Sequence, residues 1–376
     1  MSKNNRLSHS AVSRFQLCGQ SYKFHYVDKI RPRLQSAALM FGGALDGALS
    51  VLLTNGKESP EALFEKSFKY SRINDVETYL PTCPDLVYAA ADFDADLLTQ
   101  EDYDYLSLQV TEGKIPSPKT TWLETYSELK KKKSDTGLDS LTGDERTYFN
   151  LMNWLSLKRK GFLMLQAYRD KVMLRIEKVH SVQEYVSIKN EVGDSIIGYV
   201  DLVADVRGIG TVILDNKTSS MEYEEDAVVT SPQLSLYTHI LEEKYNTRKA
   251  GYIVLNKQVM KNRIKICSKC GHDGSKSRAK TCDANIQDKR CHGEWNETIR
   301  PEIFIQFMTA EIPPQTEKIV MENYDQVNEG IKKEIFTRNF NSCNNTYGGP
   351  CPYIKLCYYQ SMKNLIDLKK KNDENL

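Results

Sequence analysis

Residues 197–219 read I-G-Y-V-D-L-V-A-D-V-R-G-I-G-T-V-I-L-D-N-K-T-S. Two apolar runs flank a Gly-Ile-Gly turn, a pattern that predicts two antiparallel strands joined in a hairpin. Asp201, Asp215 and Lys217 interrupt the runs, although strand interiors disfavour Asp and burial of an unpaired carboxylate is costly. These three charged residues are therefore candidates for a functional site.

Charge and spacing suggest what such a site does. Two carboxylates on adjacent strands repel each other unless a cation lies between them, and period-two alternation puts Lys217 on the same strand face as Asp215. Oxygen ligands of this kind suit Mg²⁺, and such a site can bind a phosphodiester and activate a water. The alternative, two surface strands with solvated charges, conflicts with the apolar residues around each charge.

Three blocks in this order resemble the PD-(D/E)XK nuclease superfamily. They are G-Y-V-D at 198–201, D-N-K-T-S at 215–219 and Q-L-S-L-Y at 233–237. The RecB-type branch, which includes CRISPR-associated exonuclease-like proteins, is the most similar. The resemblance implies an α/β fold with a restriction-endonuclease-like core, a central mixed sheet flanked by helices. It also implies that Gln233 and Tyr237, four residues apart on one helix face, hold the nucleic acid and support the active site.

The same resemblance assigns the metal ligands. Asp201 and Asp215 hold Mg²⁺ or Mn²⁺, while Lys217, with a lowered pKa, orients the attacking water or stabilises the pentacoordinate phosphate. The family's first motif is a Gly followed by a His, and Asp46 stands where that His would be. Asp46 then either binds the metal or orders a water, unless it is only a helix-surface residue. On the alternating stretch 180–190 we expect Glu184 to point near the metal.

Two cysteine sets predict further metal sites. Cys267, Cys270, Cys282 and Cys291 begin with C-x₂-C and suit tetrahedral zinc in a zinc-ribbon-like insert. By resemblance, one N-terminal and three C-terminal cysteines hold a [4Fe–4S] cluster; here they are Cys18, Cys343, Cys351 and Cys357. The gap after Cys343 is longer than in the family, so a second zinc remains the alternative. Cys83 has no assigned role.

The motifs divide the chain into five predicted segments. They are N-terminal helices with the first cluster cysteine and first nuclease motif (1–54), a helical insertion (55–176), the nuclease core (177–266), a zinc-binding insert (267–297), and the last core strand, C-terminal helix and cysteine cluster (298–376). The helical insertion is expected to cover the catalytic cleft and channel a single strand, or to be a lid that only packs.

Composition limits the classes of function. The 376 residues carry a net charge of +1, so no global basic field indicates nucleic acid. No signal peptide, long apolar segment or Walker motif is found, which favours a cytoplasmic protein without membrane contact or ATP motor. If the gene is of phage origin, that cytoplasm is the host's.

Together these patterns predict a metal-dependent DNA nuclease. An exonuclease acting on DNA ends or single strands, in recombination, repair or CRISPR-type adaptation, is favoured by the resemblance. The expected partners are DNA and either a second copy of the chain or a recombination or replication protein. The alternatives are an inactive nuclease-fold DNA-binding or adaptor protein, which Asp46 in place of His would favour, and a zinc-dependent scaffold.

Overall fold

The structure is a computed structural model that describes residues 6–69, 85–87, 93–136, 141–189, 195–286, 289–344 and 350–369. Cys83 lies outside these ranges. Twelve strands are described: β1 (Arg6–Ser8), β2 (Ile30–Pro32), β3 (Leu34–Ser36), β4 (Asp85–Val87), β5 (Ile176–Lys189), β6 (Ser195–Val206), β7 (Gly210–Ser219), β8 (Lys249–Cys267), β9 (Asn285–Ile286), β10 (Lys289–Arg290), β11 (Trp295–Glu311) and β12 (Leu365–Asp367).

Ten α-helices are described between these strands: α1 (His9–Leu17), α2 (Gly19–Tyr22), α3 (Ala37–Leu53), α4 (Pro60–Ser67), α5 (Gln100–Thr111), α6 (Trp122–Thr136), α7 (Gly143–Ala167), α8 (Pro232–Tyr245), α9 (Pro314–Lys332) and α10 (Ile354–Tyr359). Short π-helical turns extend α2 and α7, at Lys23–Val27 and Tyr168–Val172. None of the described helices is long and apolar enough to cross a membrane.

The central sheet is mixed, with the order β1-β6-β7-β8-β11 and β5 also paired to β6. β6 is antiparallel to β5 and β7, whereas β7 and β8 are parallel. Since β5 runs along one edge of β6, the other edge is shared by β7, over residues 202–206, and β1, over residues 195–197. The sheet therefore opens at residues 198–201, between these two partners.

Helices cover both faces of the sheet. On one face α3, α4, α6 and α7 form an apolar core that includes Phe41, Phe149 and Leu202. On the other face α1, α8 and α9 form a second core that includes Val200, Leu234 and Tyr324. The predicted α/β fold class, a central mixed sheet flanked by helices, is confirmed.

A long hairpin extends the sheet to the Cys267 set. β8 and β11 pair antiparallel from Lys249 opposite Glu311 to Cys267 opposite Trp295. At the tip, β9 and β10 form a two-stranded ribbon. The outer half of the hairpin contacts the helical part of the chain, because Lys261 lies 3.1 Å from Asp94 and also contacts Asp96.

The two ends of the described chain lie together. β12 pairs antiparallel with β2, so that Leu365 lies opposite Pro32. The hydroxyl of Tyr353 donates a hydrogen bond of 3.1 Å to the backbone oxygen of Ile30. These contacts place the C-terminal cysteines next to the first helices.

Candidate active site

The candidate site lies where β6 and β7 separate. Leu202 and Leu214 form the last pair of this ladder, and Asp201 and Asp215 are the next residue on each strand. The side-chain oxygen Oδ2 of Asp201 accepts a hydrogen bond of 2.8 Å from the backbone N–H of Asn216. A carboxylate therefore occupies the place of a strand partner and satisfies a backbone donor that the opening would leave unpaired.

Helix α3 brings the third carboxylate to this opening. The helix lies close to β7, since a Cβ atom added to Gly42 would be 3.6 Å from Oγ1 of Thr218. Asp46 is one turn further along α3 and interrupts an otherwise apolar sequence. Asp46 thus shares the Gln183 amide with Asp201, and burial, followed by the charge of Asp215, raises its pKa.

Gln183 is a site residue that the sequence motifs do not contain. Its Nε2 donates to both carboxylate oxygens of Asp46, at 3.1 and 3.0 Å, and to Oδ1 of Asp201 at 3.3 Å. Its φ of 50° is in the left-handed region, which is uncommon for a residue other than glycine. The amide bridges the two carboxylates. Its place opposite Asp201 follows from the pairing of β5 with β6, which the sequence motifs do not reveal.

The expectation for Glu184 is wrong. Its two carboxylate oxygens accept hydrogen bonds of 2.6 Å from Lys244 and from the hydroxyl of Tyr245, both on α8. Glu184 therefore faces α8, away from Asp46. The unusual backbone of Gln183 interrupts the simple alternation along β5, so that Gln183 rather than Glu184 reaches the site.

Lys217 connects the acids to helix α8. Its Nζ lies 2.6 Å from Oδ2 of Asp215 and donates a hydrogen bond of 3.0 Å to Oε1 of Gln233. The Nε2 of Gln233 in turn donates to the hydroxyl of Tyr237 at 3.0 Å. The helix starts at a fixed point because Oγ of Ser231 accepts from the N–H of Leu234 at 3.1 Å, which is a typical N-cap.

The electrostatics of the site depend on crowded acids. Burial, followed by the charges of Asp215 and Asp46, raises the pKa of Asp201 to about 8. Burial also raises the pKa values of Asp215 and Asp46. For Lys217 burial acts to lower the pKa, but the adjacent Asp215 carboxylate outweighs it and the pKa is raised. The expected lowering is thus wrong for the metal-free site, and Lys217 is an ammonium.

These residues fit a divalent metal ion. Among the residues that the structure describes, the carboxylate oxygens of Asp46, Asp201 and Asp215 do not all lie within 4.8 Å of one another, but burial raises the pKa of each acid. A cation that replaces the protons and draws these oxygens together would relieve both repulsion and desolvation. All of the acidic side chains offer oxygen, the ligand type that Mg²⁺ prefers. The arrangement can hold a cation beside an ammonium, which is a suitable environment for a negatively charged substrate.

The sequence model of the PD-(D/E)XK nuclease superfamily matches residues 119–358. The chain belongs to this superfamily. The match includes the Asp201, Asp215, Lys217, Gln233 and Tyr237 positions but ends short of Asp46 on the N-terminal side. The superfamily resemblance of the three sequence blocks is therefore confirmed, and divalent metals are the general cofactors of these nucleases.

Comparison with solved structures gives weak similarities. A Eubacterium rectale protein described as a candidate exonuclease is 13% identical, with 64% of this chain and 78% of that chain covered at a TM-score of 0.27. The protein SSO0001 is 11% identical, with 71% of this chain and 96% of that chain covered at a TM-score of 0.28. No curated protein matches this nuclease-superfamily chain.

The Cys267 set forms a compact group at the hairpin tip. The sulfur atoms of Cys267, Cys270, Cys282 and Cys291 all lie within 4.8 Å of one another. Cys267 and Cys291 are 3.6 Å apart, as are Cys270 and Cys282. This spacing is close enough for four thiolates to hold one metal ion.

The sulfur atoms of the second cysteine set are farther apart than those of the Cys267 set. Cys18, Cys343, Cys351 and Cys357 line one pocket, with Arg338 and Tyr358 at its wall. Among the residues that the structure describes, no three of these four sulfur atoms lie within 4.8 Å of one another. Burial, followed by the neighbouring thiols, raises the pKa of Cys351. The pocket thus joins the N-terminal and C-terminal cysteines around a larger space.

The Gln183 bridge makes a testable contribution to stability. In Gln183→Leu the two carboxylates lose their shared donor, and we expect the free energy of unfolding in EDTA to fall by about 1–3 kcal/mol. The measurement is urea denaturation. Gln258→Leu, an exposed glutamine of β8, is the matched control and should be unchanged. Equal midpoints for the two variants would contradict the bridging role.

Proposed function

We propose that this protein is a metal-dependent DNA nuclease, and specifically an exonuclease that acts on DNA ends or single strands. The observation that supports it most is the meeting of three carboxylates with the Lys217 ammonium, 2.6 Å from Asp215, at an opening of the sheet. Membership of the PD-(D/E)XK superfamily gives this geometry its chemical interpretation. The RecB-type motif order favours DNA ends over a fixed recognition sequence.

In this proposal Asp46, Asp201 and Asp215 hold Mg²⁺ or Mn²⁺. When bound, the ion polarises the phosphodiester and lowers the pKa of a bound water. Lys217 stabilises the negative charge that develops on phosphorus. Its Nζ lies 2.6 Å from Asp215, so the positive charge is placed beside the proposed metal ligands. Gln233 accepts a hydrogen bond from the Lys217 ammonium and donates one to Tyr237, and Gln233 and Tyr237 together position the strand.

A nuclease assay tests this function. With end-labelled single-stranded DNA and Mg²⁺ or Mn²⁺, we expect the wild type to release nucleotides and Lys217→Ala to lose about 10²–10³-fold in rate, a loss typical of a missing electrostatic donor. Lys318→Ala, a lysine with a side chain 79% exposed on α9, should retain the wild-type rate. A wild type that binds DNA but cuts it with neither ion would favour the adaptor alternative.

The Cys267 set is proposed to hold a structural zinc ion. A Zn–S bond of about 2.3 Å requires sulfur atoms about 3.8 Å apart in a tetrahedron, which is close to the two 3.6 Å separations. The ion would hold together a tip whose described strands are only two residues long. Such small folds commonly depend on their metal.

Zinc content distinguishes the two cysteine sets. We expect about one zinc per chain in the wild type and in Cys18→Ser, and none in the double variant Cys267→Ser, Cys270→Ser, because four thiolates are needed for a closed structural site. Metal analysis by mass spectrometry makes the measurement. Zinc that persists in the double variant would contradict this assignment.

The Cys18 set is proposed to hold a [4Fe–4S] cluster rather than a second zinc. Four cysteines that line one pocket, at a wider spacing than the Cys267 set, suit a larger group. Thiolate ligation from both ends of the chain would add to the contacts between β12 and β2. The long gap after Cys343 is consistent with this, because the backbone N–H of Cys351 still returns to the oxygen of Cys343 at 2.7 Å.

Anaerobic purification tests the cluster. We expect a brown protein with iron and acid-labile sulfide in equal amounts, and a colourless protein for Cys18→Ser, because the cluster needs all four thiolates. The double variant Cys267→Ser, Cys270→Ser should stay brown. A colourless wild type with two zinc ions per chain would support the second zinc site instead.

A further inference from the structure

Two exposed tyrosines lie next to the candidate site. Tyr185 on β5 and Tyr199 on β6 are direct cross-strand partners. Their ring centroids are 5.4 Å apart and the planes are tilted by 59°. The two residues are 51% and 58% exposed, so each presents much of its ring surface to solvent.

The pair faces the same side of the sheet as the carboxylates. Val200 packs in the core beneath α8, and a Cβ atom on Gly198 would meet the ring of Tyr237 at 2.7 Å. Tyr199, between these two residues, therefore faces the opposite side. That side is the α3 side, where Gln183 contacts Asp46. Tyr199 precedes Asp201 by two residues, which is about 7 Å along a strand.

The rings of Tyr185 and Tyr199 contribute little to the packing of the fold. In the part of the chain that the structure describes, neither ring belongs to a hydrophobic core, and neither hydroxyl has a hydrogen-bond partner. Aromatic residues in such a position offer a flat apolar surface beside a site for phosphodiesters. Stacking of a nucleobase on an aromatic side chain contributes about 1–3 kcal/mol per base and depends little on sequence.

We propose that Tyr185 and Tyr199 form a stacking platform for the unpaired bases of single-stranded DNA. Bases inside a duplex are already stacked on their neighbours and cannot offer a free face, so the platform selects a single strand or a frayed end. The inference rests on the proposed nuclease function and deepens it. Bases held on the pair would place the adjoining backbone about 7 Å from Asp201, the length of two strand residues.

Binding without cleavage tests the platform. In EDTA, the affinity for a fluorescent single-stranded oligothymidylate is measured by anisotropy, with a blunt duplex in parallel. We expect Tyr185→Ala, Tyr199→Ala to weaken single-strand binding about tenfold or more and to leave duplex binding unchanged. Tyr185→Phe, Tyr199→Phe should bind as the wild type does, because the ring face is retained. The salt dependence should also be retained, because no phosphate contact is removed.

The control is Tyr359→Ala, a tyrosine that is 76% exposed on α10 and should leave binding unchanged. Wild-type affinity in the double alanine variant, or equal losses on single strand and duplex, would overturn the platform. Cleavage is measured separately with Mg²⁺. If the wild type cleaves DNA but the double alanine variant binds single strands as tightly as the wild type, the platform alone is rejected. Tyrosine-dependent binding without any cleavage would reject the nuclease function alone.

Discussion

The repulsion among three crowded carboxylates is the constraint on which the site depends. Asp46, Asp201 and Asp215 are drawn from a helix and two strands, and burial leaves them with raised pKa values. With a folded pKa of about 8 for Asp201, against about 4 unfolded, the metal-free fold holds a proton that the unfolded chain releases. Stability of that form should therefore fall as pH rises from about 4 to 8.

Each local contact at the site relieves part of this repulsion. The Gln183 amide bridges Asp46 and Asp201, the Asn216 N–H binds Asp201, and the Lys217 ammonium pairs with Asp215. The donors are one ammonium and two uncharged N–H groups, so they do not balance the charge of three carboxylates. A divalent ion bound by these oxygens would do so. Asp46 adds a third negative charge to the set, and Gln183 provides a donor for this carboxylate.

The sequence predicts the β6–β7 hairpin and its charged residues. Burial of Asp or Lys in an apolar strand costs free energy, so such residues indicate a functional site. The superfamily resemblance implies the Gln233 and Tyr237 pair, and in the structure Gln233 bonds to Lys217 and Tyr237 bonds to Gln233. The sequence does not predict Gln183, because nothing in a single sequence signals a positive φ at a glutamine. Alternation alone selects Glu184 instead.

The end of a strand is also hard to predict from the sequence where apolar and polar residues do not alternate. β8 is buried over residues 250–256 but continues to Cys267. Its outer half is largely exposed and lacks an apolar face, and its strand structure comes from pairing with β11. The sequence also does not predict the width of the pocket lined by Cys18 and the C-terminal cysteines, since that width depends on how β2 and β12 join the chain ends.

Anomalous diffraction from crystals grown with Mn²⁺ tests the central claim most directly. The account predicts a manganese peak in contact with carboxylate oxygens of Asp46, Asp201 and Asp215, with Lys217 close by. A crystal with manganese bound elsewhere, and these three carboxylates still held only by Gln183, Asn216 and Lys217, would contradict it.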